Sequence, residues 1–235
     1  VLLAGLFGLL LLGGGIYLAG QIFNLEGHWP TAVLLWALGC VAGWLLLRQW
    51  PQLALAAVLV PWWLSGEWLE LGNRPYLAMK VVEAGMLLLA LCYLSVRRPG
   101  QDDEAPIRAF AWIGGLALLP LAALTAVDHP YRHGSTSSAF PFEAWAVAVV
   151  LPLAFAFWFR RSAVWMNVVA ALWTLGLAAL AETDGSAFLY LWCALGAAGL
   201  IAWGVHELRP ERINLSMAGF ALTLLCFYFS SVMDK

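Results

Sequence analysis

Residues 72–94 read GNRPYLAMKVVEAGMLLLALCYL, an apolar run with two charged residues, Lys80 and Glu83, near its start. As a helix, the run is long enough to cross the roughly 30 Å hydrocarbon core of a bilayer. Each ionisable side chain inside such a helix costs about 2.5–3.5 kcal/mol on insertion, so it needs a partner or water. The stretch therefore predicts a membrane helix with a buried polar element.

The composition of the whole chain also indicates a membrane protein. Of its 235 residues, 63% are hydrophobic and 11% charged, whereas soluble domains are about 45–50% apolar. The apolar runs are continuous and do not alternate, which disfavours the strands of a membrane β-barrel. Helices satisfy their own backbone groups in lipid. We therefore predict an all-α, polytopic transmembrane helical bundle.

Apolar length and the breaker residues between the runs predict about nine spans. Together they form a single integral-membrane domain over residues 1–235, with possible halves 1–96 and 107–235. The chain does not begin with methionine and shows no basic segment before its first apolar run, so we expect a fragment of a longer protein. The predicted spans extend approximately from Val1 to Phe23, Trp29 to Leu47, Leu53 to Leu69, Pro75 to Val96, Ile107 to Val127, Pro141 to Phe159, Ala163 to Ala181, Ser186 to Val205 and Ile213 to Ser231.

The basic residues of the connectors predict the orientation, because Lys and Arg resist translocation. Alternate connectors place eight of them on one side and three on the other. We therefore predict that the first group is cytoplasmic, with residue 1 inside and residue 235 outside. The larger group is Arg48, Arg97, Arg98, Arg108, Arg160, Arg161, Arg209 and Arg212, and the smaller is Arg74, Arg132 and Lys235.

Small residues and cysteines inside the spans indicate packing. Gly39 and Gly43 have the small-xxx-small spacing of closely packed membrane helices. The strings LLWALGCVAG in the second span and YLWCALGAAG in the eighth are similar, although such strings are common in this composition and do not establish a repeat. The four cysteines lack the spacing of a disulfide framework or zinc site, so we interpret them as packing residues.

The first two spans, GIYLAGQIFNLEGHWPTAVLLWALG, resemble a family of bacterial inner-membrane proteins known as domain of unknown function 2157. The run INLSMAGFALTLLCFYFSSVMDK near the end also looks like the later spans of such proteins. The resemblance implies a multi-pass protein of the bacterial inner membrane, with a short cytosolic helical segment before the first span and further spans after the last. It implies no catalytic residues, since the family has none established.

Lys80 and Glu83 are the most informative residues of the predicted bundle. They are three apart and share one helix face, at depths of about 8 and 12 Å below Pro75. Lys80 can extend its amine toward the interface, whereas Glu83 is too short to do so. Folding spans three and four as a hairpin brings Glu67 close to the depth of Lys80. The three residues form either a polar lock between helices or a proton- or cation-binding element centred on Glu83.

Polar residues of the outer connectors form a candidate vestibule, although exposed loops are polar in any case. Its members are Gln21, Asn24, Glu26, His28, Glu70, Arg74, Glu143 and Glu182. His129 and His133 with Glu143 suggest a metal site, but their spacing matches no zinc signature. We expect neither a metal nor a cofactor.

The function that these features favour is that of a transporter-like or permeation-related protein. One alternative is a structural or regulatory membrane subunit without transport. Another is a membrane-embedded enzyme acting on a lipid-linked substrate, although the chain has no known catalytic motif and an enzyme is the less favoured prediction. The expected partners are membrane lipids, further copies of the chain or other membrane subunits. The net charge of −2 gives no reason to expect nucleic acid.

Overall fold

A computed structural model describes residues 2–22, 28–71, 75–97, 104–126, 142–181 and 187–230. These residues form nine α-helices and one 3-10 helix, and no strand occurs among them, so the predicted all-α class is confirmed. The α-helices are α1 (Leu2–Ile22), α2 (Trp29–Leu47), α3 (Trp50–Leu71), α4 (Pro75–Ser95), α5 (Ala105–Ala126), α6 (Phe142–Arg160), α7 (Trp165–Leu180), α8 (Ala187–His206) and α9 (Pro210–Tyr228); the 3-10 helix, Arg161–Val164, joins α6 to α7.

The nine helices coincide with the nine apolar stretches of the sequence to within a few residues. Five stretches are long and apolar enough to span a membrane. These are Leu3–Ile22, Trp29–Leu47, Ala105–Ala126, Phe142–Leu180 and Ala187–His206, of which the fourth is 39 residues long and contains both α6 and α7.

Helices α3, α4 and α9 are not among those five stretches. Each carries charged residues in its sequence: two glutamates in α3, Lys80 and Glu83 in α4, and a Glu-Arg pair in α9. The reason why charged residues are tolerated is clearest for α4. A helix enclosed by other helices has little lipid contact and does not need an apolar surface all round. The same charges that lower the hydropathy of these helices therefore mark where polar interactions form.

Helix α4 lies at the centre of the bundle and packs against α3, α5, α6 and α7. Its leucines enter a core that also receives α5, α7 and α8. The closest approach is at Gly114 of α5, where a Cβ atom would collide with the backbone of Ala90 and Leu94. Glycine at this position therefore lets α4 and α5 pack backbone to backbone, as small residues do in membrane helices. The core leucines are Leu87, Leu91, Leu94, Leu118, Leu177 and Leu200.

Tryptophans packed on glycines hold the outer pairs of helices together. The indole of Trp173 in α7 covers Gly196 of α8, and the indole of Trp192 in α8 covers Gly176 of α7. Each indole N–H donates to the backbone carbonyl of the other tryptophan at 2.9 Å. The two helices are thus joined by a reciprocal pair of contacts, each combining ring burial with a hydrogen bond.

Helices α1 and α2 pack in a related way. Trp36 covers Gly13 of α1 and donates its indole N–H to the carbonyl of Leu9 at 2.8 Å. In the reverse direction Leu12 of α1, and not a tryptophan, covers Gly39. The similar strings in α2 and α8 therefore make the same kind of contact, because each supplies a tryptophan to the preceding helix and a glycine that receives a side chain from it.

Candidate functional site

Lys80 and Glu83 are both buried in the first half of α4, with exposed fractions of 3% and 7%. Helix geometry places them on the same face as Leu87 and Leu94, which enter the core shared with α5, α7 and α8. The α4 helix therefore turns two ionisable groups toward the inside of the bundle.

Glu67 lies near the end of α3 and forms hydrogen bonds with His28 and Trp63. Its carboxylate Oε2 lies 2.6 Å from His28 Nε2, and Oε1 accepts a hydrogen bond from the Trp63 indole at 3.0 Å. The His28 and Glu67 side chains are 41% and 27% exposed. Folding α3 and α4 as a hairpin does place Glu67 at the predicted end of the bundle, but both of its oxygens bond to α3 itself or to the residue that precedes α2. The structure therefore ties Glu67 to His28 and Trp63, and of the three predicted residues Lys80 and Glu83 are the buried ones.

Four of the vestibule candidates can be placed. His28 bonds to Glu67, and Glu70 accepts a hydrogen bond from the Trp29 indole at 2.7 Å, so two bonds tie the start of α2 to the end of α3. Gln21 bonds to Tyr17 of its own helix, and Glu143 is exposed in the first turn of α6. Outside the described residues lie Asn24, Glu26, Arg74 and Glu182, together with His129 and His133.

A cleft of about 210 Å³ lies between α3, α4 and α6. Its walls are almost entirely apolar and include Val60, Leu64, Val82, Gly85, Val147 and Leu151. Gly85 lies about 200° around the helix from Glu83, but Met86, which also lines the cleft, is only three residues from Glu83. The cleft therefore runs beside the face of α4 that carries Glu83, and Glu83 is not among the residues that line it.

Tyr93 anchors α3 to α4 at a proline. Pro61 is inside α3 and has no N–H, so the carbonyl of Ala57, four residues earlier, lacks its usual helical donor. The Tyr93 hydroxyl donates to this carbonyl at 2.9 Å. Its ring packs edge-on against Phe155 of α6 at 5.0 Å between centroids. This tyrosine therefore lines the cleft and replaces the hydrogen bond that the proline removes.

The other end of α4 is held by arginines from α6 and α9. The last carbonyls of an α-helix have no intrahelical donor. Arg160 Nη1 donates to the carbonyl of Ser95 at 2.5 Å. Arg212 Nη2 donates to the carbonyls of Arg97 at 3.1 Å and Leu94 at 3.3 Å. Two guanidinium groups therefore cap α4, where positive charge also complements the helix dipole.

Glu207 pairs with both of these arginines. Its Oε1 accepts hydrogen bonds from Arg160 Nη2 and, at 2.7 Å, from the Trp203 indole, while its Oε2 accepts from Arg212 Nη1 at 2.6 Å. The guanidinium carbons of Arg160 and Arg212 lie 5.3 and 5.0 Å from the Trp203 ring centroid, within cation-π range. We call these four residues the Glu207 cluster.

The turn between α8 and α9 places Glu207 in this position. The Arg209 N–H donates to the carbonyl of Gly204 at 2.8 Å and the Leu208 N–H to that of Val205 at 3.2 Å, which is the Schellman pattern. Leu208 has a φ of 53°, the left-handed conformation that this motif requires. Pro210 then begins α9 at a position where its missing N–H costs nothing. Glu207 is thus the final residue before the chain reverses, and it points back into the bundle.

Burial strengthens the charge interactions within the Glu207 cluster. Arg160, Glu207 and Arg212 are 2%, 5% and 1% exposed. Desolvation alone would raise the pKa of the Glu207 carboxyl. The hydrogen bond from Arg160, the charge of Arg212 and the Trp203 indole outweigh it and hold that pKa below its ordinary value of 4.5. Two cations and one anion leave one positive charge in excess, which faces the negative end of the α4 dipole.

A second polar layer lies beneath the Glu207 cluster. Asn167 of α7 donates from Nδ2 to the Ser95 hydroxyl at 2.9 Å and contacts the Cys92 sulfur at 3.6 Å. Asn167 and Cys92 are fully buried. The Asn167 Oδ1 atom has no hydrogen-bond partner among the described residues. At the rim, Arg97 and Glu211 form a partly exposed ion pair at 2.8 Å.

Sequence reasoning assigned these arginines a different role. The sequence places Arg160 and Arg212 among the basic connector residues and gives no comparable signal for Glu207. The available signal was local: Glu207, Arg209 and Arg212 occur within six residues in a short connector after a tryptophan. What the sequence lacked was the partner from α6, which is 47 residues from Glu207 along the chain.

Comparison of the chain with protein-family models, curated protein sequences and solved structures found no match. The class of protein therefore follows from the fold alone: an all-helical protein with five stretches fit to span a membrane.

Proposed function

We propose that this chain is a transporter-like or permeation-related protein of a bacterial inner membrane, in which all nine helices cross the bilayer. Helices α3, α4 and α9 have 22, 21 and 19 residues, or roughly 28–33 Å at 1.5 Å per residue, which is sufficient for the hydrocarbon core. The resemblance of the first two spans to domain of unknown function 2157 supports the bacterial inner membrane.

The proposed orientation puts the Glu207 cluster on the cytoplasmic side. At one end of the bundle Arg160 and Arg212 pair with Glu207, and Arg97 pairs with Glu211. The His28–Glu67 pair lies at the other end, near the start of α4. Basic residues near span ends favour the cytoplasm, so Lys80 and Glu83 would lie in the outer half of the membrane.

The observation that carries the proposal is the burial of Lys80 and Glu83 on the central helix of the bundle. Ionisable residues inside a membrane bundle mark ion or proton pathways by default. In this proposal Glu83 binds a proton or a cation, and Lys80, one turn away on the same face, balances its charge. Transport then couples occupation of Glu83 to movement of the helices around α4.

A structural or regulatory subunit is the second candidate, and the position of the cleft favours it. The cleft between α3, α4 and α6 is almost entirely apolar, and Glu83 is not among the residues that line it. A carboxylate that no cavity reaches in any conformation would act as a packing lock. The two candidates therefore differ in whether Glu83 exchanges protons with water.

Proton movement into liposomes distinguishes the two functions. The purified chain is reconstituted into liposomes that contain a pH-sensitive dye, and a potassium gradient with valinomycin supplies the membrane potential. We expect proton uptake by the wild type and its loss in Glu83→Gln. Glu104→Gln, which changes an exposed carboxylate just before α5, is the matched control and should retain uptake. Equal uptake by the wild type and Glu83→Gln would exclude the transport function proposed for Glu83.

A further inference from the structure

The Glu207 cluster connects four helices at one end of the bundle. Arg160 comes from α6, Trp203 and Glu207 from α8 and the turn after it, and Arg212 from α9, while the carbonyls that they bind belong to the end of α4. The same helix, α4, carries Lys80 and Glu83 in its other half. Any movement of α4 relative to α6 or α9 must break these contacts.

We propose that the Glu207 cluster is a latch that closes the cytoplasmic end of the bundle, and that its opening admits solvent to the buried end of α4. This inference rests on the proposed transport function, because alternating access requires one end to be closed while the other is open. In the present structure the latch is closed, since all three charged members are buried.

The chemistry of the cluster suits a contact that opens. Desolvation offsets much of the attraction in a buried ion cluster, and apolar residues of similar volume often hold helices together as well or better. Water can replace the hydrogen bonds of both guanidinium groups and of the carboxylate once the helices part. Water cannot replace the apolar contacts of the leucine core that packs α4 against α5, α7 and α8. This core therefore stays closed when the cluster opens.

The polar layer beneath the cluster indicates where solvent would go. Asn167, Ser95 and Cys92 lie directly inside the capped end of α4. The Oδ1 atom of Asn167 is buried and has no donor among the described residues, and such an atom is normally satisfied by protein or by water. Water entering past Glu207 would satisfy it.

Native cysteines provide the test. Cys92 is buried beneath the cluster, and Cys40 is equally buried in α2, away from it. Two versions of the full chain are prepared, each retaining one of these cysteines and carrying serine at the other three positions. Both are reconstituted into liposomes and exposed to a water-soluble maleimide on both sides of the membrane, and the labelling rate is measured by mass spectrometry.

We expect Glu207→Gln to raise the labelling rate of Cys92 by about tenfold, because it weakens charged hydrogen bonds to both arginines, and to leave Cys40 unchanged. Trp203→Phe keeps an aromatic ring, although a smaller one, and removes one hydrogen bond to Glu207, so it should raise the Cys92 rate by a smaller factor. It becomes the deciding variant if Glu207→Gln does not fold. Glu211→Gln breaks the rim pair with Arg97 and keeps every hydrogen bond of the Glu207 cluster, so it is the control, for which we expect the wild-type rate.

Two results would overturn the latch. One is an unchanged Cys92 rate in the folded Glu207 or Trp203 variant. The other is an equal increase at Cys40 and Cys92, which would show that the cluster stabilises the whole bundle. Neither result depends on proton uptake, so failure of the latch and failure of the role proposed for Glu83 are separate outcomes.

Discussion

The two ends of α4 both contain buried charges, but the charges have different physical origins. At the end formed by Leu94, Ser95 and Arg97, the charged side chains come from other helices and donate to carbonyls that the helix leaves unsatisfied. In the other half, Lys80 and Glu83 belong to α4 itself, at positions where the helix satisfies its own backbone. Capping therefore explains the first set and not the second, which is why we assign the ion-binding role to Glu83.

Glu207→Gln is expected to have the largest effect on stability. Removing the one carboxylate between two buried guanidinium groups leaves both cations without their counter-charge, and breaking a buried pair costs about 3–5 kcal/mol. The free energy of unfolding, measured by titration with sodium dodecyl sulfate in mixed micelles, should fall by this amount. If the free energy of unfolding fell only as much as on loss of an exposed ion pair, the burial of the Glu207 cluster would not add to its contribution to stability.

A double-mutant cycle on Lys80 and Glu83 is expected to give a smaller effect. The single variants Lys80→Met and Glu83→Gln each leave one buried charge without its neighbour on the same face, and the double variant removes both charges. We expect a coupling energy of about 0.5–3 kcal/mol, as found for residues in contact. Strictly additive effects in the same titration would show that Lys80 does not balance Glu83.

The pH dependence of stability should report Glu207. Because its pKa in the folded protein lies below 4.5, the carboxylate contributes its full stability above the unfolded pKa, and the contribution is lost as the pH falls through the folded value. The difference in melting temperature between the wild type and Glu207→Gln should therefore be constant at neutral pH and narrow below about pH 4.5. A difference that widens on acidification would reverse the assigned sign.

The smallest effect on stability is expected for the exposed ion pair of His28 and Glu67. His28 and Glu67 lie at the same end of the bundle as the start of α4, but solvent screens them, and exposed ion pairs contribute little to stability. Glu67→Gln should give a melting temperature indistinguishable from that of the wild type in the same micelles. A clear loss would show that this pair is part of the buried element, as the position of Glu67 in the sequence suggests.

The sequence predicts the helices well because apolar length and breaker residues are local signals. It also predicts which residues of α4 are buried and charged, since Lys80 and Glu83 interrupt an apolar run. It does not predict the Glu207 cluster, because Arg212 and the carbonyl of Leu94 are 118 residues apart and meet only through helix packing. For the same reason it does not predict the bond between Glu67 and His28, which are 39 residues apart.

In the proposed function, proton exchange with water is the property that separates Glu83 from the charges that cap α4. The most direct measurement is its modification by dicyclohexylcarbodiimide, a reagent that enters membranes and reacts with protonated carboxyl groups. Peptide mass spectrometry of the reconstituted chain would quantify the modification of Glu83 and of Glu104, an exposed carboxylate just before α5. We predict that Glu83 is modified and that Glu104 is not. A Glu83 that stays unmodified, or that reacts no more than Glu104, would contradict the proton-binding role.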